Sequence, residues 1–408
     1  MSRVLSPLRA GLDVMPSPVE EQPGLLLRDP FRYTDTVLII PPVWVLALPY
    51  FDGEHTDLDA LEAIYKRTGH MAPRESINHL IDTLQQEGFL ATPEFEALRE
   101  KRHREFAAAP ERLPAHAGSG YPDAADAARQ TLLGYFDGQS AICNLQSAIA
   151  VAAPHVSPSG GWSSYAAAYR CLTPALADRT FVLLGTSHYG QPERFGLTAK
   201  PYVTPLGKSE VNRELHDHLA SQAPQAVILE DYCHSIEHSI EFQVLFLQYV
   251  MDRPVKILPI LCGAFADSLQ TGRVPETGSE VDSFFNALGE IAAREGDRLF
   301  WLLGIDMAHM GRRYGDGFEA LADQGPMQEV AERDRRRLES VCAGDAGGFF
   351  QQVAPNGDDL KWCGYSPLYT FLKAMPGLRG EVLRYEQWNI DPASVVSFAG
   401  VAFARNAT

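Results

Sequence analysis

The sequence predicts an α/β fold with a mixed or parallel central sheet flanked by helices, preceded by a small α+β module of winged-helix type. Three observations carry this prediction. From Gln139 onward, strand-like apolar runs alternate with helix-like segments. Several runs, such as 181–184 and 300–303, are continuously apolar, as strands covered on both faces are. The first hundred residues differ, with one apolar stretch followed by two amphipathic helices.

Residues 1–24 read as a tail: they contain Pro7, Pro16, Pro18 and Pro23 and no apolar stretch of signal-peptide length. The module spans 25–105. Its apolar run 37–51 is interrupted by Pro41, Pro42 and Pro49, is too short to cross a bilayer, and reads as buried core. Thr56 precedes a helix expected to place Leu58, Leu61, Ile64 and Tyr65 on one face. A second helix carries Ile77, Leu80, Ile81 and Leu84, and Gly88 stops it. In this order, with a DG turn before the helices and GFL after them, the module resembles the PqqD-like peptide-recognition domains. That resemblance implies a peptide or protein substrate, or a partner enzyme. The charged stretch 94–109 reads as a solvated helix, and the linker 106–115 with its breakers Pro110 and Pro114 leads into a domain over 116–408.

Composition excludes several classes. A net charge of -17, from 52 acidic and 35 basic side chains, repels a phosphate backbone, so nucleic acid is not expected as a partner. Apolar residues at 45% and charged residues at 21% fit a globular chain, and no membrane span is expected. The cysteines 143, 171, 233, 262, 342 and 363 contain no CxxC pair, which argues against a disulfide framework or zinc knuckle and for a reducing cytoplasm.

Three strand-like runs end in polar clusters: APHVSPSGG at 153–161, GTSHYG at 185–190 and GIDMAHMG at 304–311. In open α/β sheets, ligands bind beyond the carboxyl ends of strands, so His155, His188, Asp306 and His309 are expected along one edge. Neutral imidazole suits iron, copper and zinc. In EHSIEFQ, His238 and Glu241 share a face if the segment is helical. They could relay a proton or orient a ligand, or they could be a buried polar pair capping the apolar helix that follows. Cys363, in LKWCGYSPLY, could be a metal ligand, a nucleophile or an inert buried thiol. Spacing alone does not choose.

Taken in order, HAGSGYP at 116–122, APH at 153–155, GTSH at 185–188, EHSIE at 237–241, DMAHMGRRY at 306–314 and CGYSP at 363–367 resemble the Memo family. The resemblance implies a fold similar to class III extradiol dioxygenases and a mononuclear non-haem metal held by His155, His188 and Cys363. It implies that Asp306 and His309 line the pocket, with His309 as acid or base. Fe(II) or copper is the expected metal and zinc the alternative. It also implies microbial partners, an AMMECR1-like protein and a radical SAM enzyme. Two departures stand out: Gly120 replaces the aromatic residue of the family's HAGSWY, and APHAGY continues here as APHVSPSGG. Trp162 and Tyr189 could restore aromatic surface. The expected function is a metal-dependent oxidoreductase or dioxygenase-like enzyme acting on a small molecule or peptide. The alternatives are a non-catalytic peptide-binding module and a zinc hydrolase.

Overall fold

The structure, a computed structural model, describes residues 2–137 and 148–406, so Cys143 and the start of the alternating pattern at Gln139 lie outside the described residues. The chain forms two compact units, Met1–Ala108 and Ala109–Thr408.

In the N-terminal unit, β1 (Asp13–Pro16), β2 (Leu25–Arg28) and β3 (Val37–Ile40) make an antiparallel sheet in that order. Helices follow at Asp57–Thr68, Arg74–Gln86 and Pro93–Ala108. Thr56 and Asp59 form a reciprocal capping box on the first helix, satisfying N–H groups that a helix start leaves orphaned. Its buried face is narrower than expected: Ala60, Leu61 and Ile64 face the core, whereas Leu58 and Tyr65 stand about half exposed. The second helix buries Ile77, Leu80, Ile81 and Leu84 as expected.

Residues 1–24, expected as a tail, are built into this unit. Leu5 is fully buried in its core, and Arg9 donates to the Asp29 carboxylate and to the Gly88 carbonyl. The apolar run 37–51 is only partly core. Ala47, Leu48 and Phe51 are buried while Val37 and Val43 face solvent, because the prolines split the run into a strand and two short helical turns.

The larger unit is built on one mixed sheet. Its strands are β4 (Ala150–Ala153), β5 (Thr180–Thr186), β6 (Phe195–Leu197), β7 (Tyr202–Thr204), β8 (Gly207–Val211), β9 (Val227–Leu229), β10 (Lys256–Cys262), β11 (Leu299–Gly304), β12 (His309–Gly311), β13 (Leu378–Asp391) and β14 (Ser394–Arg405). The spatial order is β12-β14-β4-β11-β5-β10-β6-β9, with β13 on β14. The centre, β4, β11, β5 and β10, is parallel, and the long β13–β14 hairpin closes one side antiparallel.

The continuous apolar runs now have their reason. In β5, Val182 and Leu184 join one core layer while Phe181 and Leu183 join the other, and β11 divides Trp301 and Leu303 from Phe300 and Leu302 in the same way. Helices Ser279–Glu295 and Tyr365–Ala374 cover the first face, and Pro158–Tyr169 and Glu241–Met251 cover the second. Each such side chain, fully buried, contributes roughly 1.5–3 kcal/mol. A sheet anchored on both faces holds its strand ends rigidly, and those ends carry the site. No helix among the described residues is long and apolar enough to cross a membrane.

Candidate metal centre

β4, β11 and β5 are neighbours and run parallel, so their carboxyl ends open on one edge. His155 follows β4, Asp306 follows β11 and His188 follows β5, which brings all three together. The backbone at these ends is crowded. A Cβ at Gly304 would lie 2.2 Å from the Ser239 carbonyl oxygen, so only glycine lets the 237–240 segment cross the strand end. That segment delivers His238.

One ring nitrogen from each of His155, His188 and His238 lies within 4.8 Å of the others, an arrangement able to hold a metal ion. The His188 and His238 rings stack with centroids 4.9 Å apart, and His155 stands edge-on to both at 5.0 and 5.2 Å.

The three imidazoles are oriented alike. His155 Nδ1 lies 3.0 Å from the Gly304 carbonyl, His188 Nδ1 2.9 Å from Glu237 Oε1, and His238 Nδ1 3.1 Å from the same oxygen. With a carbonyl or carboxylate opposite, each Nδ1 carries a proton, so in the neutral ring Nε2 holds the lone pair and is the ligating atom. Glu237 also accepts the backbone N–H groups of His188 and His238, at 2.8 and 3.0 Å. One fully buried carboxylate therefore orients two imidazoles. Burial would raise its pKa, but the two histidines hold it well below the usual carboxylate range.

Burial opposes charge on His188, yet Glu237 and Cys363 outweigh this and raise its pKa. His155 is buried and pushed the other way, by desolvation and then by the two neighbouring histidines. Two of the rings keep access to solvent, with 27% of the His188 and His238 side chains exposed.

Cys363 reaches the cluster from a loop, its Sγ 3.2 Å from His155 Nε2. Thr186 donates to its carbonyl at 2.9 Å, and Gly364 N–H donates to the Asp306 carbonyl at 2.9 Å. A side chain at Gly364 would meet that same carbonyl oxygen at 2.6 Å, so glycine is what allows the loop to press against the strand end. Burial pushes the Cys363 thiol up, partly offset by His188.

Asp306 Oδ1 accepts the N–H groups of His155 and Val156, and its Oδ2 lies 3.6 Å from His155 Nε2. Burial lifts its pKa to about 6 against those hydrogen bonds. His309 turns Nδ1 toward the carbonyls of Met307 and Lys361 and packs edge-on against Tyr314, and burial depresses its pKa to about 4. It is therefore neutral near pH 7, with Nε2 as its basic atom.

Glu241 sits elsewhere. Residues 237–240 are not helical, so His238 and Glu241 share no helical face, and Glu241 begins the helix Glu241–Met251. Its carboxylate forms a fully buried ion pair with Arg112 and accepts the N–H groups of Ala115 and His116 at 2.9 Å and the Tyr121 hydroxyl. Arg112 in turn donates to the carbonyls of His234 and Glu237, at 2.7 and 2.8 Å. The pair thus holds the segment that carries His238. Glu237, four residues before Glu241 and absent from the expected site, is the carboxylate that touches the imidazoles; its place directly before His238 was the available signal.

The space beside Gly120 is filled by the Phe242 ring, which a Cβ there would approach to 3.0 Å. Trp162 stacks on Tyr135, and Tyr189 stays half-buried next to His188.

His234, fully buried in the same segment, is held neutral between the Tyr202 hydroxyl at Nδ1 and the Gly196 carbonyl at Nε2, and burial lowers its pKa to about 4. Between that value and the unfolded value near 6.5, the unfolded chain binds the extra proton. Stability contributed by neutral His234 is thus complete above about pH 6.5 and is lost toward pH 4, on the order of 3 kcal/mol. Denaturation of wild type and His234→Gln across this window should show the variant with a flatter pH dependence.

An α/β sheet whose parallel centre delivers like-oriented imidazoles to one edge defines a protein built around a candidate metal centre. Residues 112–402 match the family described as Memo-like protein, and the chain belongs to the Memo family. A MEMO1 family protein of Aquifex aeolicus is 25% identical over 385 residues, covering 93% of this chain and 95% of its own. That alignment is longer than the 300 residues of Ala109–Thr408, so it extends into the N-terminal unit. MEMO1 family proteins of Methanosarcina barkeri and Thermococcus kodakarensis are each 28% identical, covering 71% and 72% of this chain and 98% and 99% of theirs. A solved structure of an uncharacterized protein from Escherichia coli K12 is similar with a TM-score of 0.38 at 11% identity, over 62% of this chain and 98% of that one.

Proposed function

We propose that this chain is a metal-dependent oxidoreductase that binds one iron or copper ion at His155, His188 and His238, with the Cys363 thiolate as a further donor. The observation that supports this most is the shared orientation of three imidazoles, each with Nδ1 engaged by an oxygen so that Nε2 is the atom available to a metal, with Cys363 Sγ already beside that of His155. Imidazole and thiolate are soft or borderline donors, which favour copper, iron or zinc over magnesium or calcium. Bound there, such an ion supplies Lewis-acid or one-electron chemistry to a substrate arriving from the solvent side.

The chain's own residues supply the rest. Glu237 and the Gly304 carbonyl hold the rings in one tautomer. His309, neutral and with its Nδ1 occupied, accepts a proton at Nε2. Asp306 fixes the backbone of the His155 loop.

The third histidine also supports a second reading, zinc-dependent hydrolysis, because three imidazoles with an open position form a known catalytic zinc set. Metal content after anaerobic purification, with oxygen consumption, separates the two. The expected result is about one iron or copper per chain, near-complete loss in His155→Ala, His188→Ala and His238→Ala, and oxygen uptake that requires the metal. Unchanged stoichiometry in the histidine variants would sink the metal reading. Tightly held zinc with oxygen-indifferent activity would promote the hydrolase, and a loaded protein inert in both assays would favour a peptide-binding pocket. The AMMECR1-like and radical SAM partners belong to the same proposal, and copurification with tagged chain is their test.

A further inference from the structure

Helix Pro326–Cys342 buries a stripe of Met327, Val330, Ala331, Leu338 and Val341, and in the middle of that stripe stands a fully buried carboxylate, Asp334. Burying an ionisable group costs stability unless it is well partnered, and Asp334 has three donors. Trp362 Nε1 donates to Oδ1 at 2.7 Å, and the Tyr385 hydroxyl and Ser397 Oγ donate to Oδ2 at 2.8 and 2.6 Å. Two of these donors lead directly to the candidate centre. Trp362 is the residue before Cys363. Ser397 Oγ accepts the N–H of Ala308, and its backbone pairs with Met307 and Ala308, inside the stretch that carries Asp306 and His309.

The loop that Trp362 anchors is not relaxed. Asn356, Asp358 and Lys361 all hold positive φ, near 60°, where side-chain-bearing residues are strained. Surrounding contacts must hold such a loop in place. Arg337, one turn along the helix from Asp334, pairs with Asp358, and Asp358 accepts the Trp362 N–H. The Lys361 and Leu360 carbonyls take the ring and backbone N–H groups of His309. Asp334 therefore lies at the junction of the two loops that bring Cys363 and His309 to the histidines.

We propose that Asp334 is a positioning residue: through Trp362 it fixes the Cys363 sulfur against His155, and through Ser397 it fixes the 306–309 stretch. Its consequence for metal binding rests on the reading given under Proposed function. The test uses the full chain with Asp334→Asn and Trp362→Phe, the second removing one N–H while keeping a ring in the core. In metal-free protein, alkylation of Cys363 by iodoacetamide, followed by peptide mass spectrometry, should accelerate about tenfold as the loop opens more often. With Co(II) as the probe, the thiolate-to-cobalt charge-transfer band should weaken, and affinity should fall about 10–100-fold.

A purely structural carboxylate would lower the melting temperature and leave both readouts of the folded protein unmoved; that result in Trp362→Phe overturns the proposal. If Asp334→Asn fails to fold, Trp362→Phe decides alone. If wild type binds no Co(II), the metal reading fails by itself, and the alkylation rate still decides whether Asp334 positions Cys363.

Discussion

Glu237→Gln is expected to weaken metal binding by about 100-fold, the upper end of what loss of a carboxylate behind a ligating histidine costs. The reason is multiplicity. The Glu237 carboxylate receives four donors, the Nδ1 and backbone N–H of both His188 and His238. Both Nδ1 groups share Oε1, so a glutamine NH2 placed there faces both imidazoles, and one placed at Oε2 faces the His188 N–H; either way a donor meets a donor and the rings lose their fixed orientation. Isothermal titration with Co(II) or Zn(II), alongside circular dichroism to confirm the fold, measures the effect. An affinity within threefold of wild type would show that Glu237 merely packs there.

Glu241→Ala should destabilise the C-terminal unit by about 3–5 kcal/mol, because it leaves Arg112 as an uncompensated buried cation. It also strands the N–H groups of Ala115 and His116 and the Tyr121 hydroxyl. Denaturant unfolding followed by tryptophan fluorescence is the measurement. The double variant Arg112→Met with Glu241→Leu, which removes both charges and refills the space, should recover more than half of the loss. If the single variant is as stable as wild type, the 112–121 segment is held by packing alone.

Much of the fold was readable because the forces that shape it act locally in sequence. Runs such as 181–184 and 300–303 are apolar at every position because both faces of their strands are covered, and that needs no knowledge of partners. β13 gave no such sign. Its residues stay partly exposed along most of the strand, with Arg379, Glu381, Arg384 and Glu386 scattered through it, since its pairing with β14 comes from backbone hydrogen bonds. The first residues misled for the opposite reason: prolines suggested a tail, whereas Leu5 and Arg9 are secured by contacts distant in sequence, Leu5 with Gly53 and His55 and Arg9 with Asp29 and Gly88.

The site divides along the same line. His155, His188 and Asp306 were legible because a strand end announces them. His238 was visible but was paired with Glu241 on the assumption of a helix, whereas residues 237–240 form an irregular segment and turn and the helix starts only at Glu241. Cys363 depends on a loop crossing above the strand ends, which no local pattern encodes. Asp334 was hidden among the charged residues of helix Pro326–Cys342, although the helical period places it in line with Val330, Val341 and Leu338.

Neighbouring strands lie about 4.8 Å apart wherever backbone hydrogen bonds join them. Because β4, β11 and β5 are adjacent, the lateral spacing between the loops of His155, Asp306 and His188 is set by peptide geometry, which no side-chain substitution alters. The core beneath can therefore change many of its residues while the mouth of the site keeps its width. The candidate site rides on a ruler whose graduations are the same in every sheet, and its tuning falls to the segments that cross above the strands, 237–240 and 356–364.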